Sequence, residues 1–174
     1  SPTVNSIPKV NLDIRSQRVA LLNWTPKTKI IVEKLCSYLT KHSEIQVYVS
    51  SLLDEMENTK KSLADRYPDI KITIQSIDFN EIEDLENINP KSFDSILILS
   101  PGGATIEEMD AYVISLLIRI RQILLLKTGT KSTNYKWPKL ITEVMDSENI
   151  DIILNSGVED FMVSNQFVSQ IMAQ

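Results

Sequence analysis

The chemistry-bearing residues of this 174-residue chain fall into three groups. The first is Thr25 and Lys27 in "NWTPKT", a polar turn between an apolar run and an amphipathic segment. At such a strand-to-helix junction, free helix N-terminal amides are placed to hold phosphates. The glycines of a G-x-G-x-x-G turn let the backbone approach a pyrophosphate, but Asn23, Trp24, Thr25, Pro26 and Lys27 fill this one. Their bulk obstructs close approach and Pro26 lacks an amide donor, which argues against NAD while leaving some amides for an anion. The next apolar run ends in Ser50 and Ser51, where a ribose-binding carboxylate is expected, and this is a second argument against NAD.

The second group is acidic. Asp78 stands just past "IKITIQSI", where a carboxylate binds a ribose, a base or a cation, or caps the helix that follows. Glu107, Glu108 and Asp110 open a long helix, where acidic groups offset the helix dipole. Asp78, Glu107 and Asp110, with carbonyls of "PGG", form a candidate Ca2+ site, because that hard cation takes oxygen ligands from several directions. The third group is Gly102 and Gly103, the one pair of adjacent glycines. They provide either a turn that needs positive φ or backbone left open for a ligand.

Little else offers chemistry. Cys36 is the lone cysteine and lies on an apolar helical face, so it reads as a small core residue in a reducing compartment. His42 is the lone histidine, in a polar helix-to-strand connection, which leaves Ser/His/Asp catalysis without support. The net charge of −5, with no basic run, argues against nucleic acid and anionic membrane surfaces.

The elements that must position these residues alternate along the chain. "RVALLNW", "EIQVYVSS", "IKITIQSI", "DSILILS", "KLITEVM" and "DFMVS" read as strands, each followed by a helical segment. Thr25 and Pro26 suit the cap and first turn of the first helix, whose apolar residues include Ile30, Ile31, Leu35, Tyr38 and Leu39. Thr105 and Glu108 have capping-box spacing at the start of the long helix. Six β-α repeats predict an α/β fold: a doubly wound, mainly parallel Rossmann-like sheet with helices on both faces. Any ligand then belongs at the carboxyl ends of the strands.

The length favours one domain over residues 18–174, with 1–17 a flexible lead or tag remnant. "KTGTKSTNYKW", residues 127–137, is the candidate mobile loop. The longest apolar run, Tyr112 to Leu126, carries two arginines and falls short of the about 18 residues a bilayer span needs. It is apolar on nearly all sides from Val113, so cover from a second subunit is expected in addition to the sheet, with Arg119 and Arg121 at an edge or paired with acids. The terminal "NQFVSQIMAQ" reads as an amphipathic helix without a C-cap, as if cut within a larger protein.

Two stretches, "FDSILILSPGGATIEEMDAYVISLLIRIRQI" and "PKLITEVMDSENIDIILNSGVEDFMVSNQFVSQIMAQ", resemble the cytosolic regulatory domain of the CASTOR/POLLUX ion channels. Domains of that family are like those that regulate potassium-channel conductance (RCK domains). Asp110 and Ala111 match the residue pair that opens its long helix, and Leu116, Leu117 and Arg119 match the helix itself. Ile141, Glu143 and Asp146 match a strand end, and Ser164, Asn165, Val168 and Ser169 match a helix start. Trp24 matches the tryptophan after the first strand, although Asn23 replaces the glycine before it.

The resemblance implies a gating-ring domain of a cation or potassium channel, tethered on the cytoplasmic side of a membrane. It implies self-association into a dimer and a higher ring, coupled to the transmembrane pore domain of the parent chain. On that reading the first β-turn-α unit serves as scaffold and interface. The alternative on the same fold is a dinucleotide-dependent sensor or oxidoreductase, and a third reading is a standalone adaptor.

Overall fold

The computed structural model describes residues 15–103, 105–128, 137–146, 148 and 162–163. Six strands form one sheet: β1 (Arg18–Leu22), β2 (Glu44–Val49), β3 (Lys71–Ser76), β4 (Ser95–Ile98), β5 (Lys139–Val144) and β6 (Met162–Val163). Their order is β3-β2-β1-β4-β5-β6 and every pairing is parallel. The chain moves outward from β1 to β3, then returns beside β1 as β4. The point of reversal between β1 and β4 is where a doubly wound sheet opens a crevice.

Strand periodicity sends alternate side chains into two separate cores. Ala20, Leu22, Ile96, Ile98, Leu140 and Val144 point to one face, under α3 (Ile82–Asn87) and α4 (Ile106–Thr128). Val19, Leu21, Ile45, Val47, Leu97, Leu99 and Ile141 point to the other, under α1 (Pro26–Tyr38) and α2 (Asp54–Arg66). The fold is therefore the doubly wound α/β sheet that the alternating pattern predicts.

The helices differ from expectation in which residues they bury. On α1 the inward residues are Ile31, Val32, Leu35 and Cys36, whereas Ile30 is 44% exposed, so the buried stripe is rotated by one residue. Helix α4 sets Val113, Leu116, Leu117, Ile120, Ile123 and Leu124 into the core at three- and four-residue spacing. Its apolar surface is mostly covered within the chain, and Leu126, 83% exposed, is the largest remainder. The helix runs to Thr128, into the segment expected to be a loop, and residues 129–136 of that segment lie outside the described residues. Also outside them are the expected helices after β5 and β6.

Residues just ahead of β1 also bond to the domain. Gln17 is buried and its amide donates to Ser43 Oγ at 3.0 Å, while the Arg15 carbonyl accepts from Thr40 Oγ1. Cys36 is buried in the α1-side core, and loss of water pushes its thiol up to about 11, against a smaller opposing pull from Arg66. His42 takes φ 70 at the turn into β2, a backbone role. Among the described residues no helix is long and apolar enough to cross a membrane.

Candidate functional site

The first loop is built as a closed cap. Asn23 ends β1 with φ 87, the left-handed region that a glycine enters without strain. Its side chain supports that conformation: Nδ2 donates to the Leu99 carbonyl at 3.0 Å, and its own amide donates to the Tyr48 carbonyl at 2.8 Å. Asn23 thus stitches β1 to both β2 and the end of β4. An asparagine at this position makes the turn and adds a tether.

Thr25 then caps α1. Its Oγ1 accepts from the Lys27 amide at 3.1 Å, the Thr25 amide donates to Thr28 Oγ1 at 2.7 Å, and the Thr28 amide donates to the Thr25 carbonyl at 3.0 Å. Pro26 has no N–H. The first-turn donors that an anion would need are bonded within the turn, which revises the expectation that helix N-terminal amides remain free. Trp24 lies partly against the α1-side core and donates through Nε1 to Glu55 at 2.9 Å.

Lys27 points across the crevice. Its Nζ lies 3.0 Å from Glu143 Oε2, and the Ser100 amide at the end of β4 donates to Glu143 Oε1 at 3.4 Å. The Glu143 side chain is only 4% exposed, against 39% for Lys27. One carboxylate from β5 therefore joins the β1–α1 turn to the β4 end at the point of strand reversal. Gly102, at φ 97, supplies the positive-φ turn, and its amide donates to Ser100 Oγ. A Cβ on Gly103 would stand 3.1 Å from Met109 Cγ, so that glycine permits close packing on α4.

The acidic residues do not converge. Thr105 Oγ1 accepts from the Glu108 amide at 3.1 Å, as the capping spacing predicts. Glu107 is exposed in the first turn of α4. Asp110 is 1% exposed, and its two oxygens accept from the Met145 and Asp146 amides at 2.7 and 2.9 Å. It fastens α4 to the end of β5. Among the described residues no three His, Cys, Asp or Glu side chains are grouped to hold a metal, so the candidate Ca2+ site of Asp78, Glu107 and Asp110 is not assembled. Arg119 is half-buried and donates to the Phe79 carbonyl.

Asp78 lies elsewhere, at a cleft of about 480 Å³ beyond the ends of β2 and β3. Ser50, Ser76, Asp78, Asn80, Asp84 and Tyr112 supply its polar lining. Asp78 does not cap α3. Its Oδ1 accepts from the Asn80 amide, and its own amide donates to Asp84 Oδ2 at 2.8 Å, which fixes the β3–α3 turn. Tyr112 borders this cleft and also donates its hydroxyl to Asn23 Oδ1 at 3.4 Å. Burial raises the Tyr112 phenol above its ordinary value, with Asn23 and the Arg119 charge acting in the opposite direction.

No protein-family model matches this sequence, and no curated protein matches it. Solved structures share its fold. The human SLO3 gating ring superposes with a TM-score of 0.56 at 14% identity, over 84% of this chain and 24% of that one. An NADPH-dependent 3-quinuclidinone reductase from Rhodotorula rubra superposes with a TM-score of 0.52 at 12% identity, over 83% of this chain and 60% of that one. The chain thus spans about a quarter of the gating-ring chain. One α/β architecture serves a gating ring and a reductase, so chemistry at the strand ends must separate the two readings.

Sequence reasoning passed over Glu143 as a ligand-site residue, although a signal was present. It is the one acidic residue inside the otherwise apolar and uncharged stretch "LITEV", and a carboxylate in a buried strand requires a partner. Nothing in the sequence identified Lys27, 116 positions away, as that partner.

Proposed function

We propose that this chain is a regulatory domain of a cation channel, of the gating-ring kind, related to the cytosolic domains of the CASTOR/POLLUX channels. The observation that carries this reading is the closed crevice. Thr25 and Thr28 cap α1 from within, and Glu143 holds Lys27 and the Ser100 amide, so donors that a dinucleotide phosphate would use are already bonded within the chain. A fold shared with the human SLO3 gating ring and the motif pattern around Asp110, Glu143 and Asp146 support the same reading. The domain acts through assembly and movement and carries out no catalysis. It is tethered on the cytoplasmic side of a membrane to the pore domain of its parent chain.

Assembly uses apolar surface that the fold leaves uncovered, of which Leu126 near the end of α4 is the most exposed among the described residues. Two measurements test the reading. Light scattering at tens of micromolar protein is expected to give a dimer or larger species, and a strictly monomeric folded domain overturns it. Thermal melting with NADPH separates it from the reductase reading, because a nucleotide at one hundred times its dissociation constant adds about 2.7 kcal/mol. A clear rise in Tm moves the assignment to a dinucleotide-dependent sensor or oxidoreductase.

A further inference from the structure

Among the described residues six large hydrophobic side chains are exposed, and four of them stand on the carboxyl edge of the sheet: Leu52 and Leu53 before α2, Ile82 at the start of α3 and Ile106 at the start of α4. The first three flank the open cleft. Leu52 and Leu53 follow Ser50 of its wall, and Ile82 falls between Asn80 and Asp84 of the same wall. The charge around them is of one sign. Residues 50–59 and 72–90 hold eight Asp or Glu and no Lys or Arg, so charge complementarity calls for a cationic partner. Acids at helix starts offset the helix dipole, which explains several of these carboxylates but none of the exposed leucine and isoleucine side chains.

We propose that the cleft and its rim are a docking surface for a basic amphipathic segment of a partner protein, in which Lys or Arg stands among apolar residues. A lysine or arginine of the partner enters the cleft, where the Asp78 and Asp84 carboxylates share a wall with the hydroxyls of Ser50, Ser76 and Tyr112. The apolar residues beside it, and the stem of the cation itself, cover Leu52, Leu53 and Ile82. Arg119, whose charge reaches Tyr112, is bonded to the Phe79 carbonyl and is not on that wall. A second copy of this chain fits poorly. Two-fold contact would oppose one acidic edge to another, and head-to-tail contact would offer the amino edge, where Arg15 and Arg18 are paired with Asp94 and Glu44. The inference concerns this edge alone and does not depend on the channel reading.

The test is fluorescence anisotropy with two labelled helical peptides, one with leucine on one face and lysine on the other, and one with serine in place of leucine. Wild type is expected to bind the leucine–lysine peptide about tenfold more tightly than the serine–lysine peptide, since only the first covers the apolar rim. Asp78→Asn/Asp84→Asn keeps side-chain size and acceptors for the turn amides but removes both charges, and is expected to weaken binding about fivefold. Leu52→Ser/Ile82→Ser is expected to weaken it about tenfold. These side chains are exposed or half-buried, so both variants are expected to fold, and Tm checks this. Leu126→Ser, near the far end of α4, is expected to leave peptide binding unchanged. Four results overturn the proposal. They are equal binding of the two peptides by wild type, wild-type affinity in either double variant, equal weakening by Leu126→Ser, and loss of self-association in Leu52→Ser/Ile82→Ser by light scattering, which would make the occupant a second copy.

Discussion

The crevice between β1 and β4 and the cleft beyond β2 and β3 open on the same edge of the sheet, yet they are built in opposite ways. In the crevice, Asn23, Thr25, Thr28, Lys27, Ser100 and Glu143 are bonded to one another or to strand-end carbonyls. In the cleft, Asp78 and Asp84 each accept from a backbone amide, and both remain on an open polar wall with two serines and Tyr112. A place at the carboxyl ends of parallel strands therefore does not make a binding site. Whether donors and acceptors are used internally decides, and by that measure the crevice is structural framework while the cleft is available surface.

The sharpest way to break this contrast is to remove a framework residue. Asp110→Ala takes away a buried carboxylate that accepts two amides, and leaves the Met145 and Asp146 N–H groups without it. The expected loss is about 3 kcal/mol, since an unpartnered buried donor and a lost charged hydrogen bond each cost about 1–3 kcal/mol. Urea denaturation measures it. A loss below about 1 kcal/mol would mean that α4 is not fastened to β5 in this way.

Asn23→Ala comes next, at about 2 kcal/mol. It puts a Cβ without a supporting amide at φ 87 and removes the bond to the Leu99 carbonyl. Asn23→Gly removes the same bond but relieves the backbone, so it is expected to cost less than alanine. Equal costs for the two would show that the side-chain tether, and not the backbone conformation, is what matters at this turn.

How much of this was legible in the sequence differs between the two regions for a physical reason. Strand and helix order follows from local periodicity, and "RVALL" shows the alternation that sends Val19 and Leu21 to one core and Ala20 and Leu22 to the other. Caps are equally local, so Thr25 and Thr105 were readable from their neighbours. The clasp was not, because Lys27 and Glu143 meet only once β5 is laid beside β4. Asp110 was misread for the same reason: its helix-start position suggests solvent and a dipole, whereas the end of β5 folds over it. Asp78 was expected just past β3 as a crevice ligand or a helix cap, whereas it lines the separate cleft and makes an Asx turn, a local bond that uses the same residue type as a cap.

Tyr112 stands between the two regions and sharpens the comparison at smaller energy. Tyr112→Phe loses one long hydrogen bond to Asn23, and a cost of about 0.5–1 kcal/mol is expected near neutral pH. Its pH dependence has a definite sign. Burial raises the native phenol above the ordinary value of 10.0, so the unfolded chain releases this proton first as the solution becomes alkaline. The stabilisation is whole below pH 10.0 and is lost as pH rises through the raised native value. The phenylalanine variant is expected to lose stability less steeply above pH 10.0 than wild type, and identical slopes would mean that the phenol is not shielded.

The smallest effect is expected at Asp78, and it is the most informative about the cleft. Asp78 is exposed and its side chain contributes one short-range turn bond, so Asp78→Ala should change stability by no more than about 0.5 kcal/mol. A neutral substitution is not expected at Asn23 or Glu143, because each of these crevice residues holds separate elements together. If Asp78→Ala instead destabilises by more than about 1 kcal/mol, the β3–α3 turn is framework as well, and the contrast between the regions fails. If it is neutral, calcium titration of wild type and variant separates the remaining roles: equal responses exclude Asp78 as a ligand, and a response lost only in the variant places a cation on the cleft wall.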